Sequence, residues 1–139
     1  MKVLYKTRAS ATGGRDGQAS TDDGLLSVKL APPKELGGPG GATNPEQLFA
    51  AGYAACFLGA MKFVGNRDKI AVPADVSVTA EVGIGPRDDG GGFGITAALI
   101  VNLPGMDAAA AEDLMARAHV VCPYSHAIRG NVEVTTARA

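Results

Sequence analysis

One stretch, residues 44–65, NPEQLFAAGYAACFLGAMKFVG, constrains the fold of this chain more than any other. Asn44 is a good N-cap, Pro45 suits the first helical position, and Gln47 stands three residues after the cap, the spacing of a capping box. Gly65 offers a natural stop. Between these signals nearly every residue is apolar or small until Lys62. A helix on the surface of a domain shows a polar face. This one shows almost none, so the pattern predicts a long helix buried on most sides. Ala50, Ala51, Gly52, Ala54, Ala55, Gly59 and Ala60 leave room for other backbone to approach closely. Cys56 falls in its middle, shielded from bulk water.

A chain of 139 residues suits one domain, residues 1–139. Such a chain buries roughly two-thirds of its unfolded surface, enough for a true core. The balance of 46% hydrophobic and 19% charged residues reads as soluble and globular. Thirteen basic and 14 acidic residues leave a net charge of −1, with no basic block. That argues against nucleic-acid binding and against a polybasic membrane contact. The first ten residues alternate like a strand and hold no apolar signal-peptide core. The central run is long enough to raise a membrane question. Glu46, Gln47 and Lys62 near its ends, and its many Ala and Gly, favour a soluble core helix. The expected compartment is the cytoplasm, where two cysteines are more often catalytic or metal-binding than structural.

Residues 3–11 are expected to form a first strand, and the glycines of residues 12–17 a loop. Residues 18–21 and 25–30 flank Asp22-Asp23-Gly24, a hairpin signal. Residues 31–43 carry three prolines, four glycines and no periodicity, and read as a loop wrapping toward the long helix. Beyond it, residues 75–82 alternate with Val76, Val78, Ala80 and Val82 on one face. Residues 93–103 repeat the pattern with Phe93, Ile95, Ala97, Leu99, Val101 and Leu103. Asp107 caps a second helix, residues 108–121, which Cys122-Pro123 breaks before a short helix to residue 129. Residues 132–136 make a last strand. The expected class is α+β, with helices on one side of antiparallel sheets.

Two cysteines, 66 positions apart, each fall at a distinctive place. Cys56 is mid-helix; Cys122 is at a helix break, where free N–H groups lower a thiol pKa. Three readings stand open. Both cysteines can be buried and inert. His119, Cys122 and His126, joined by Cys56, can be considered for zinc, although the spacing matches no standard paired motif. The pair can also be redox-active, which needs a cation beside one sulfur. Arg15, alone in a glycine-flanked loop, is the best candidate for that cation, ahead of Arg8, Arg87 and Arg138. Glu46 can hold it in a bidentate pair or simply favour the helix N-terminus. Glu46 and Cys56 are ten residues apart, about 15 Å along a continuous helix. Two copies of the helix packed antiparallel across a two-fold are expected to bring them together.

At these residues the chain resembles the organic hydroperoxide resistance proteins, the Ohr branch of the OsmC/Ohr family. The matching words are ATGGRDGQA at 11–19, TNPEQLFAAGYAACFLGAMKFV at 43–64, DKIAVPADVSVTAEVGIG at 68–85 and VCPYSHAIRGNVEV at 121–134. The resemblance implies an OsmC/Ohr-like fold, with sheets packed around a long central helix, in an intertwined homodimer. It implies a thiol-dependent peroxidase that reduces organic hydroperoxides to alcohols, with Cys56 as the peroxidatic and Cys122 as the resolving cysteine. Arg15 and Glu46 match the pair that activates the thiolate. The implied reductant is a dihydrolipoyl group on a lipoylated protein; no bound cofactor or metal is implied. His126 departs from the Asn expected more often there. Phe49, Phe57, Met61, Leu36 and Tyr124 are plausible walls for an apolar substrate pocket, and equally what a core helix would use. The related OsmC branch and a non-enzymatic redox-sensing or binding module are the competing expectations.

Overall fold

Residues Met1 to Ala139 are all described in the computed structural model. Two compact units emerge, Met1–Leu48 and Phe49–Ala139.

In the first unit, β1 (Ala9–Thr12), β2 (Gln18–Thr21) and β3 (Ser27–Lys29) form an antiparallel sheet in the order β1-β2-β3. The first strand is shorter than its alternation suggested: residues 1–8 have no regular structure, and Val3, Leu4 and Tyr5 are exposed. An alternating pattern makes a strand only where a neighbour pairs with it, and pairing starts at Ala9↔Thr21. The proline- and glycine-rich segment after β3 returns to the sheet at its end. Thr43 bridges Leu30, its N–H donating to the Lys29 carbonyl and its carbonyl accepting from Ala31.

That return delivers the start of α1 (Pro45–Asp68). The capping box forms as the spacing requires. Gln47 N–H donates to Asn44 Oδ1 at 2.9 Å, and Asn44 N–H donates to Gln47 Oε1 at 3.3 Å. Asn44→Ala should therefore lower stability by about 1 kcal/mol, measured as a shift in chemical denaturation midpoint with unchanged slope. Gly65 is not the stop. The helix runs on to Asp68, Lys69 takes a left-handed φ of 60°, and Ile70 N–H donates to the Gly65 carbonyl at 2.9 Å. This is a Schellman closure with lysine where glycine is usual. Gly65 serves packing instead: a Cβ there would stand 2.5 Å from Val72 Cγ2.

In the second unit, β4 (Ser77–Pro86) and β5 (Phe93–Asn102) form a long antiparallel hairpin. Then come α2 (Ala108–Val121), α3 (Pro123–Ile128) and β6 (Val134–Arg138). β6 lies parallel to β5, with Ala97 opposite Val134, so this sheet is mixed rather than wholly antiparallel. The reason is the connection: a helical crossover, not a tight turn, separates β5 from β6, and parallel neighbours need such a crossover. Ala97, Leu99 and Val101 of β5, and Leu103 just beyond it, are buried with Tyr53, Phe57, Met61 and Val64 of α1 and Ala111, Leu114 and Ala118 of α2. The chain thus has an α+β fold with two small sheets and one long helix.

α1 has the length and apolar composition of a membrane span. Within this chain it is not buried on most sides, as its composition suggested. One face is in the core, while Ala51, Ala55, Gly59 and Phe63, each four residues from the last, are exposed. A helix packed on a single layer covers only one of its sides, and the second apolar stripe is left uncovered.

Candidate functional site

Two groups of chemistry-bearing side chains form, one in each unit. The first is built on the β1–β2 connection. Thr12 pairs with Gln18, and the five residues between them must reverse direction tightly. Gly13 and Gly14 take φ of 71° and 60°, and a Cβ at Gly17 would stand 1.8 Å from the Thr12 carbonyl oxygen. Only glycine meets these demands. The turn that results, Gly14–Asp16, is a short 3-10 helix that projects Arg15. The guanidinium donates to both carboxylate oxygens of Glu46, at 2.8 and 2.6 Å. Glu46 is in the first turn of α1 and largely covered; Arg15 is more open. The Arg15 hydrogen bond holds the Glu46 carboxyl below the usual range, against the opposing effect of burial. This fork is the geometry that fixes a guanidinium in orientation as well as position.

The second group is the two thiols. Cys56, half-buried on α1, and Cys122, fully buried between α2 and α3, are both reduced, with 3.6 Å between their sulfurs. Cys122 is held at both ends: its N–H donates to the Ala118 carbonyl and its carbonyl accepts from His126 N–H, each at 2.9 Å. Burial pushes the Cys56 thiol up, and the contact with Cys122 pushes the same way, whereas the Tyr124 backbone N–H favours its thiolate. Within this unit nothing positively charged acts on Cys56.

Aromatic side chains of α1 and α3 form a cluster. Tyr124 lies 5.9 Å from both Phe49 and Tyr53, ring centre to ring centre, and a Cβ at Gly52 would meet its hydroxyl at 2.8 Å. Of the expected pocket walls, Phe49 and Tyr124 are partly open, and Leu36, in the first unit, is exposed. Phe57 and Met61 are fully buried and serve the core of the chain. The four side chains considered for zinc do not gather as a set: the two sulfurs are neighbours, but no three His, Cys, Asp or Glu groups come closely enough together to hold a metal ion. His119 packs its ring against Phe57, and burial holds its imidazole below the usual range.

The sequence pattern does not single out Tyr53 and Ser125, yet both stand beside the sulfurs. The Tyr53 hydroxyl and Ser125 Oγ are hydrogen-bonded at 2.9 Å, and both residues are buried. The only available signal was their offset of three from Cys56 and Cys122.

A reduced thiol pair within easy reach of a disulfide, and a guanidinium clamped by a carboxylate, are parts of thiol redox chemistry. Comparisons with known proteins identify the family. A family model described as OsmC-like protein matches residues 38–137. The organic hydroperoxide resistance protein of Xanthomonas axonopodis pv. citri is 56% identical over 139 residues, 99% of this chain and 96% of that protein. The crystal structure of an organic hydroperoxide resistance protein from Legionella pneumophila superposes with a TM-score of 0.94 at 54% identity, covering 99% of each chain. That of OhrB from Bacillus subtilis gives 0.89 at 40% identity, covering 99% of this chain and 100% of the other. With a family match over most of its length and relatives this similar, the chain belongs to the OsmC-like protein family, in its organic hydroperoxide resistance branch.

Proposed function

We propose that this protein is a thiol peroxidase that reduces organic hydroperoxides to alcohols and is recycled by a dihydrolipoyl group on a lipoylated protein, residues 1–139 acting as one functional domain in the cytoplasm. The observation that carries the reading is the pair of reduced sulfurs 3.6 Å apart. The names of the relatives, organic hydroperoxide resistance proteins, support the substrate class.

The Cys56 thiolate attacks the distal peroxide oxygen. The O–O bond breaks, the alkoxide takes a proton and leaves as ROH, and Cys56 becomes a sulfenic acid. Cys122 then attacks the Cys56 sulfur; the S–O bond breaks and water leaves as the disulfide forms. A dithiol reopens the disulfide by exchange, itself becoming oxidised. Arg15, oriented by Glu46, favours the thiolate and hydrogen-bonds the peroxide oxygens. Phe49 and Tyr124 offer apolar surface to the alkyl group.

The working unit in this reading is a homodimer. The exposed stripe of Ala51, Ala55, Gly59 and Phe63 admits close approach of a second α1, and a two-fold gives each copy the same contact. The resulting dimer holds two sites, each completed by an Arg15–Glu46 pair.

A lipoamide-coupled assay tests the whole reading. Turnover should appear with cumene or tert-butyl hydroperoxide, and sedimentation should give a dimer. If mixing with either hydroperoxide leaves both thiols titratable, the peroxidase is refuted.

A further inference from the structure

We propose that the Tyr53–Ser125 hydrogen bond is a positioning device that sets the approach of Cys122 to Cys56 and so governs closure of the disulfide. This rests on the thiol peroxidase reading and adds to it two positioning residues.

α1 and α3 meet through two polar contacts about one helical turn apart. One is the sulfur pair. The other joins Tyr53, three residues before Cys56, to Ser125, three residues after Cys122. α3 otherwise docks through apolar contacts, Tyr124 against Phe49 and Tyr53 and Ile128 against the core. It is six residues long, and it follows an extended residue, Cys122, with φ −65° and ψ 122°, and then Pro123. Its one buried side chain is Ser125, a hydroxyl where a short helix docked on a core would ordinarily place an aliphatic residue. The facing group is a phenol with no exposed surface. Apolar contact tolerates sliding; a buried hydroxyl pair does not, because displacement leaves two polar groups without partner or water. Burial and, secondarily, the two sulfurs raise the Tyr53 phenol above its usual range, with the Ser125 hydrogen bond opposing.

The step at issue joins Cys56–SOH and Cys122–SH. The Cys122 sulfur gives the electron pair of the new S–S bond, the S–O bond breaks, and the departing hydroxide carries away the thiol proton as water. The two sulfurs must close from 3.6 Å to about 2.05 Å. Closing that gap depends on how Cys122 is seated over α1, and the hydroxyl pair holds that seat about one turn away. Attack of hydroperoxide on Cys56 does not involve Cys122.

The test uses the full-length protein in stopped flow, with sulfenic acid trapping to separate the two steps. Tyr53→Phe and Ser125→Ala should leave oxidation of Cys56 within about twofold of wild type, while closure slows by about tenfold or more. Ser125→Thr, which keeps the hydroxyl, should recover most of the closure rate. A second readout omits peroxide: equilibration with dithiothreitol should show the Cys56–Cys122 disulfide destabilised in Tyr53→Phe and Ser125→Ala by a similar factor. Closure and equilibrium within about twofold of wild type in both variants, or equal slowing of both steps, overturns the proposal. If wild type ignores hydroperoxide yet forms the disulfide in dithiothreitol buffers, and Tyr53→Phe weakens it, the peroxidase reading fails and the positioning role stands. If wild type forms no disulfide under either condition, both fall.

Discussion

Cys56→Ser should abolish hydroperoxide reduction, and Cys122→Ser should permit one oxidation per site and then stop. The two sulfurs are neighbours, so their position alone does not separate their roles; their environments do. Cys56 is partly open and accepts the Tyr124 backbone N–H, which favours an anion on that sulfur. Cys122 has no exposed surface, and its thiol donates toward Cys56. A hydroperoxide can reach the first sulfur before the second. Serine at 56 keeps the shape and removes a sulfur that ionises far more readily than a hydroxyl, which stays protonated. Serine at 122 leaves that nucleophile in place and takes away the thiol that resolves its sulfenic acid. Mass spectrometry after one equivalent of cumene hydroperoxide distinguishes them. Cys56→Ser should remain unmodified, Cys122→Ser should carry one added oxygen, and wild type should lose two hydrogens. Full turnover by either variant with a lipoyl reductant would contradict the assigned order.

Much of this arrangement is legible in the chain because short-range chemistry specifies it. The Asn44–Gln47 cap, the Asp107 cap of α2 and the Pro123 break all appear where the side chains demand them. The Arg15–Glu46 fork was within reach of reasoning because glycines leave a loop arginine free to turn toward a carboxylate. What the local pattern does not contain is long-range pairing. Residues 132–136 read as a strand, but their parallel seat beside β5, shifted to Val134–Arg138, depends on the path of the α2–α3 crossover. Gly65 carried a stop signal that packing against Val72 overrode. The Tyr53–Ser125 bond is likewise a tertiary fact: a tyrosine in an apolar helix and a serine in a polar one show nothing of each other until α3 docks. Composition also overstated the burial of α1: its apolar residues run all round the helix, but within this chain only one face is covered.

Arg15→Ala should lower the rate constant for Cys56 oxidation at pH 7 by about a hundredfold or more, the loss typical of removing a placed charge from a developing anion. The pH dependence identifies the cause. In its own unit the Cys56 thiol is pushed up by burial, so without a cation the reactive thiolate forms only in alkaline solution. Wild type should react at a nearly constant rate from neutral pH upward, whereas Arg15→Ala should keep accelerating beyond pH of about 8.5, the ordinary thiol value. Glu46→Gln should fall between them, since an amide offers one acceptor oxygen where the carboxylate offers two and leaves the guanidinium less firmly aimed. The acid limb has the opposite sign. The Glu46 carboxyl is held below its usual value by Arg15, so the pair is complete above about pH 4.3 and is lost only as pH falls through the lowered value. Between pH 5 and 8 the fork therefore does not titrate, and any change of rate in that window belongs to the sulfur. Superimposable pH profiles for wild type and Arg15→Ala would remove Arg15 from the chemistry, whatever the fork contributes to the first turn of α1.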